Sequence, residues 1–156
     1  MAGSPVFSLR EARPEDAGRL HALHTTVVRT ICAPHYAKEI IDGWLALRNA
    51  EGYRKVIERG AIFVAERAGE IVGFGEAQPG QVLAVYVDPS TARLGVGTLL
   101  LQRALEIARR NYDGPIRLES TLNAISFYER AGFRAIERSG VQRGNVVVPV
   151  VVMQQG

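Results

Sequence analysis

The residues best placed to do chemistry together run from Asp88 through Pro89, Ser90, Thr91, Ala92, Arg93, Leu94, Gly95, Val96 and Gly97 to Thr98. An apolar strand-like segment stops at Asp88-Pro89, a short loop follows, and a helical pattern begins around Gly95 to Thr98. The first N–H groups of a helix have no intrahelical partner, and the helix dipole favours negative charge in front of them. Glycine at 95 and 97 lets backbone approach a bulky anion with no Cβ between, and Arg93 can add a charge-assisted contact. The chemistry expected is recognition of a phosphate or pyrophosphate. A bland loop-to-helix junction with two turn glycines accounts for the same residues. Two other phosphate loops fit worse. The chain has no Gly-x-x-x-x-Gly-Lys-Ser/Thr run. A dinucleotide fingerprint fails because Leu100 holds the third glycine position and no opening βαβ unit surrounds it.

Other reactive side chains point to less. Cys32 is the sole cysteine, so it forms no internal disulfide, and it reads as a small buried hydrophobe rather than a nucleophile. His21 and His24 share a helix face without a third ligand at metal spacing; they read as surface residues, and no metal is expected.

The elements that must hold the loop follow from periodicity. Val6 to Arg10 reads as a first strand, and Pro14-Glu15-Asp16 opens a helix whose apolar face is Leu20, Leu23, Val27 and Ile31. Ala33-Pro34-His35-Tyr36 interrupts it, and a second helix follows with Ile40, Ile41, Trp44, Leu45 and Leu47 at its apolar positions. From Ala61 the period changes. Ile62–Ala65 and Ile71–Phe74 flank Arg67-Ala68-Gly69-Glu70 as a hairpin, and Val82 to Val87 is the next strand after a Pro79-Gly80 turn. Val96, Leu99, Leu100, Ala104, Ile107 and Ala108 mark an amphipathic helix ending near Asn111. A strand at Ile116–Glu119, a helix from Thr121 to Ala131, and strands at Phe133–Arg138 and Val146–Met153 complete the order. Helices interleaved with consecutive strands mean an α/β fold built on a mixed sheet, α+β in character, flanked by about four helices. No repeat or linker divides residues 1–156, so one domain is expected.

Composition narrows the partners. Of the 156 residues 47% are hydrophobic and 22% charged, which suits a globular chain. No apolar run reaches the roughly 20 residues of a membrane span, and Met1 to Pro5 lacks the features of a signal peptide. A cytoplasmic protein without a membrane partner is expected. The net charge is +3 and nearly all the cations are arginines, with only Lys38 and Lys55 as lysines. They are scattered, which favours a polyphosphate ligand over nucleic acid. Trp44 reads as core. The Val146–Val152 run reads as a buried last strand with Pro149 at an edge or bulge, and it also offers a homodimer surface.

The chain resembles the GNAT superfamily of N-acetyltransferases. Ala92-Arg93-Leu94-Gly95-Val96-Gly97 is similar to its Gln/Arg-x-x-Gly-x-Gly/Ala signature, with Ala92 standing where glutamine or arginine is usual. Asn123-Ala124-Ile125-Ser126-Phe127-Tyr128-Glu129-Arg130-Ala131-Gly132-Phe133 is similar to its late Asn-x-x-x-x-Tyr-Glu-x-x-Gly-Phe helix. The likeness covers the chain from about Ala61 onward. Ala33, Tyr36 and Trp44 also resemble a pattern in a subset of bacterial members.

The resemblance implies transfer of an acetyl group from acetyl-CoA (coenzyme A) to a small-molecule or peptide amine by direct attack. It implies that the Val85-Tyr86-Val87 strand meets the pantetheine arm. Arg93, Leu94, Gly95, Val96, Gly97 and Thr98 would hold the pyrophosphate, with Asn123 on the coenzyme and Tyr128 beside its sulfur. A phenol of pKa near 10 keeps its proton at neutral pH and can give it to the leaving thiolate, which makes Tyr128 the general-acid candidate. Many members carry a glutamate early in the strand before the loop, where this chain has Gln81, so Glu76 is the nearest candidate base. An exposed strand-end carboxylate is the plainer reading of Glu76, and an amine of lowered pKa needs no base. His35, Tyr36 and Trp44 fall where the family binds acceptors. The alternative is a non-catalytic acyl-CoA-binding or sensor module of the same fold, kept open by Ala92 and the missing glutamate.

Overall fold

A computed structural model describes residues 6–156; Met1 to Pro5, and with them the expectation about a leader, lie outside it. Seven strands form one sheet: β1 (Ser8–Glu11), β2 (Ile62–Arg67), β3 (Glu70–Gln78), β4 (Gln81–Val87), β5 (Ile116–Ser120), β6 (Arg134–Arg143) and β7 (Val146–Gln155). Five α-helices flank it: α1 (Ala17–Val27), α2 (Lys38–Leu45), α3 (Ala50–Glu58), α4 (Val96–Arg109) and α5 (Ile125–Arg130). The strand order is β1-β2-β3-β4-β5-β7-β6, antiparallel throughout except between β4 and β5. The mixed α/β sheet is as expected; the helices number five rather than about four.

The unexpected helix is α3. Only Tyr53 and Ile57 are buried on it, four residues apart, and the Asn49 side chain caps it by accepting from the Gly52 N–H at 3.0 Å. The first helix also departs from a regular pattern. It starts with a 3-10 turn at Pro14–Asp16, where the Asp16 carboxylate accepts from the Arg13 N–H (2.7 Å) and from both terminal nitrogens of Arg10 (2.8 and 3.1 Å). It ends in a wide π turn at Val28–Cys32, which rotates the face: Leu20, Leu23 and Val27 are buried, but Ile31 is 40% exposed.

Two cores lie on opposite faces of the sheet. On one, α1, α2 and α3 bring Leu20, Leu23, Ile41, Trp44 and Ile57 against Val64, Phe74, Val148 and Val150. On the other, α4 and α5 bring Leu100, Leu101, Ala104 and Tyr128 against Phe63, Val72, Leu118 and Met153. Cys32 is fully buried in the first core, and burial pushes its thiol up to about 11, so it is an inert apolar side chain. His24 corrects the expectation of a surface residue: it is 3% exposed. Leu47, assigned to the apolar face of the second helix, lies beyond α2 and is 67% exposed.

The last strand is interior. β7 pairs with β6 along its whole length but with β5 only from Val151 to Gln155. Pro149 therefore sits in a central strand at a point where β5 has already ended. Its carbonyl accepts from the Tyr36 hydroxyl at 2.7 Å, and the same hydroxyl accepts from the Leu122 N–H at 3.0 Å. A proline with no N–H to offer is tolerated there because no strand asks for one.

Candidate functional site

The site begins with a defect in the sheet. β4 and β5 are parallel neighbours joined at a single register pair, Gln81 with Arg117, and then part. The Asp88 N–H bonds to the Val72 carbonyl, so in alternation Tyr86 and Ala84 also turn their backbone groups toward β3. Val85 and Val87 turn theirs into the gap, where no strand receives them. A register shift between Glu76 and Ala77 leaves Leu83 opposite no residue of β3, which bends β4 at the point where the gap opens.

The gap is a cavity of about 520 Å³. Val82 to Val87 form one wall and Leu118, Glu119, Thr121 and Asn123 the other, with Tyr128 and Phe127 from α5. The floor is the loop Pro89 to Gly97 and the start of α4, from which Arg93, Gly95, Val96, Gly97 and Thr98 line it. The loop is shaped by side-chain caps: the Asp88 carboxylate accepts from the Ser90 N–H at 3.0 Å and from Arg19 at 2.8 Å. Those partners outweigh its partial burial and hold its carboxyl below the usual range. Arg93 and Gly95 both have positive φ, 67° and 88°. For arginine that conformation is uncommon and costs energy, and such costs gather at functional loops. Gly95 is the N-cap of α4 in the left-handed region, with nothing within 4 Å of an added Cβ; its glycine is required by φ, not by crowding. At Gly97 an added Cβ would meet the Phe127 ring at 3.1 Å, so this glycine lets α4 and α5 close together. The α4 N–H groups ahead of Leu99, whose own N–H bonds to the Gly95 carbonyl, face the cavity floor without helical partners.

Two polar side chains stand out in the walls. Asn123 has a buried Oδ1 without a hydrogen-bond partner among the described residues. Tyr128 is 7% exposed, sits edge-on to Phe127 and Phe133 at 5.1 and 6.0 Å, and has its pKa raised by burial. It stays a phenol across the neutral range.

A second, smaller cavity of about 60 Å³ lies against the first. Val82, Leu83, Tyr86, Glu119 and Thr121 line both. The smaller one adds Trp44 from α2, Gln81, Val141 and Arg143 from the β6 end, and Val148 and Val150 from β7. Trp44 is 2% exposed, and its Nε1–H is buried with no partner among the described residues. Glu119 and Arg143 were not among the residues singled out from the sequence. Glu119 is the outward residue of an alternating strand, a pattern that reads as solvent-facing unless the neighbouring strand is known to part from it.

The expected residues are thus partly gathered. Val85, Tyr86, Val87, Arg93, Gly95, Val96, Gly97, Thr98, Asn123 and Tyr128 line the large cavity, whereas Leu94 is 42% exposed and does not. Trp44 lines the small one. His35 is exposed and lines neither, and Tyr36 is occupied in joining Pro149 to Leu122. Glu76 also lines neither. It is partly buried, and burial raises its carboxyl pKa against the opposing charges of Arg59 and Arg143.

Behind Tyr86 lies a buried polar chain. The His24 ring stacks on Tyr86 with centroids 4.1 Å apart. Arg48 Nη1 donates to the Tyr53 oxygen at 2.8 Å and to His24 Nδ1 at 3.1 Å, and the Tyr53 hydroxyl also meets Nδ1. With donors facing Nδ1, the imidazole carries its proton on Nε2. Burial first, and then the charges of Arg48, Arg143 and His21, hold its pKa well below the ordinary value.

Among the described residues no group of three or more His, Cys, Asp or Glu could hold a metal, and no helix is long and apolar enough to cross a membrane.

Residues 32–153 match the acetyltransferase (GNAT) domain family. The uncharacterised N-acetyltransferase YafP of Escherichia coli K12 is 22% identical over 136 residues, covering 87% of each chain. A GCN5-related N-acetyltransferase from Rhodopseudomonas palustris has the same fold, with a TM-score of 0.89 at 22% identity over 100% of this chain and 98% of that one. PaiA N-acetyltransferase from Thermoplasma acidophilum, in complex with coenzyme A, gives 0.78 at 21% identity over 96% and 98%.

Proposed function

The chain belongs to the GNAT acetyltransferase family, and from that membership we propose that it transfers the acetyl group of acetyl-CoA directly to an amine held in the gap between β4 and β5. The observation that carries this reading is the gap itself. It offers unpaired strand backbone at Val85 and Val87, free N–H groups at the start of α4, and a buried phenol at Tyr128 in one cavity. The orphaned Asn123 Oδ1 fits a bound ligand that brings a donor to it.

Acetyl-CoA supplies an activated thioester and a pyrophosphate by which it can be held. The residues of this chain have four tasks. The loop from Arg93 to Gly97, with Thr98, presents N–H groups and a guanidinium to the pyrophosphate. Backbone groups of Val85 and Val87 align the extended arm as a strand would. A backbone N–H of this segment steadies the oxyanion that develops at the thioester carbonyl. Tyr128 delivers a proton to the departing sulfur. Burial keeps that proton on the phenol until then, and the same desolvation raises the proton affinity of the thiolate it serves.

A base that takes the amine proton must reach the acceptor side of the thioester. Glu76, the candidate chosen from sequence, lies outside both cavities, whereas Glu119 lines both, so Glu119 is the proposed proton acceptor.

The test is calorimetric titration with acetyl-CoA of the native chain, Gly95→Glu and Tyr128→Phe. Native protein should bind, and Gly95→Glu should lose binding because it adds a negative charge and an unfavourable φ at the cradle. Tyr128→Phe should bind normally while acetyl transfer slows by about 10²-fold or more. Failure of the native chain to bind would remove the acetyltransferase reading. Normal turnover by Tyr128→Phe would remove the phenol from the chemistry.

A further inference from the structure

We propose that the acceptor is a free amino acid with a small side chain, its carboxylate held by Arg143 and the Trp44 indole N–H and its amine turned toward Glu119. The proposal rests on the acetyl-transfer reading above and assigns the small cavity as the acceptor pocket.

The first support is position. The small cavity shares Val82, Leu83, Tyr86, Glu119 and Thr121 with the large one, so an amine in it lies beside the gap that takes the thioester. The second is size. The small cavity measures about 60 Å³ against about 520 Å³ next door. That difference suits a compact acceptor beside the large cavity rather than a second bulky ligand.

The third is chemistry. The pocket has one cationic side chain, Arg143, and one buried donor without a partner, Trp44 Nε1. Arg143 forms no salt bridge among the described residues, although its charge reaches the Glu76 carboxyl, and its side chain donates only to the adjacent Gln142 carbonyl, at 2.9 Å. A carboxylate has two oxygens, and one guanidinium with one indole N–H is a donor for each. A buried N–H left unmatched costs free energy, so a pocket that matches it on binding gains selectivity for an anion there. Among the described residues Glu119 is the only carboxylate in the lining, and it suits an ammonium group. The rest of the wall is Val82, Leu83, Val141, Val148 and Val150 with the uncharged polar side chains of Gln81, Tyr86 and Thr121, so a side chain there meets no further charge.

The step balances without a further reactant. The ammonium first gives one proton to Glu119, which passes it to solvent and is a carboxylate again. The amine lone pair then attacks the thioester carbon, the C–N bond forms and the C–S bond breaks. The second amine proton leaves to solvent through Glu119, and the thiolate takes the Tyr128 proton. The products are an N-acetylamino acid and the coenzyme thiol, and the phenol is reprotonated from water.

The experiment compares glycine, L-alanine and L-valine with their carboxamides, by release of coenzyme thiol and by calorimetric binding to the complex with coenzyme A, where no reaction occurs. The free acids should exceed the amides at least tenfold in kcat/KM and in affinity. Arg143→Gln, an exposed position, should bring that ratio to within about twofold while acetyl-CoA affinity is unchanged. Equal use of acids and amides, or use of neither while acetyl-CoA binds, overturns this proposal alone. Absence of acetyl-CoA binding overturns the reading beneath it as well.

Discussion

At the scale of single residues the consequential group is His24, a neutral imidazole sealed between Tyr86 and Tyr53. Its folded pKa lies well below the roughly 6.5 of the unfolded chain. Above pH 6.5 both states are unprotonated and the residue is neutral to stability. Below it the unfolded chain takes a proton that the folded one refuses, so stability falls as pH falls. One proton gives a slope of up to about 1.4 kcal/mol per pH unit, or roughly 3–5 °C in melting temperature for a chain of this size. Glu76 acts in the opposite sense, since its raised folded pKa returns stability on acidification. Asp16 and Asp88, with lowered values, act only below about pH 4. His24→Gln should therefore flatten the melting temperature between pH 6.5 and 5.5; an unchanged slope would assign the loss to another group. None of this was legible in the sequence, where two histidines three residues apart read as a solvated face. Burial of His24 depends on Tyr53, which comes from the helix that periodicity did not reveal.

At the scale of elements the β2–β3 hairpin carries a local conflict. Its turn residues Ala68 and Gly69 have φ of 53° and 80°, the two left-handed positions of a tight turn. Glycine takes that conformation freely, and alanine does so at a cost. Ala68→Asn should raise stability by roughly 0.5–1 kcal/mol, read as a shift of the urea midpoint at constant slope. A lower midpoint would mean the turn is held by its strands rather than by its residues. The hairpin itself was legible, because alternating apolar residues and a Gly-containing turn are local signals. So were α4, the late helix before Gly132, and the glycine loop. α3 was not: AEGYRKVIE has two inward residues, and its clearest signal was the Asn49 cap. The π turn that exposes Ile31 also escaped, since one extra residue in a turn leaves composition unchanged.

At the scale of the whole molecule the candidate site exists only because two strands separate. Neither the parting of β4 from β5 nor the smaller cavity behind it can be read from either strand alone, which is why Glu119 and Arg143 were passed over. A ligand spanning that gap binds the folded chain only, so it should stabilise the whole sheet. At acetyl-CoA concentrations of 100 times Kd the gain is about 2.7 kcal/mol, or roughly 5–10 °C in melting temperature. A melting temperature indifferent to acetyl-CoA at that excess would mean the gap takes no such ligand.

The interior place of β7 also bears on how the chain is made. Synthesis proceeds from the N-terminus, and β6 emerges before β7, yet β6 bonds to no other strand. Until Val146 to Gln155 have left the ribosome, β6 has nothing to dock on and β5 is bonded only at its single bridge to β4. The half of the sheet from β1 to β4 can assemble during translation with α1, α2 and α3, while the half that completes both cavities must wait. The β6–β7 hairpin, being local, can form first and add to β5 as a unit. A released chain cut short before β7 would therefore be half-folded with β5 bare along one edge, the species most exposed to chaperone capture and to pairing with a neighbour.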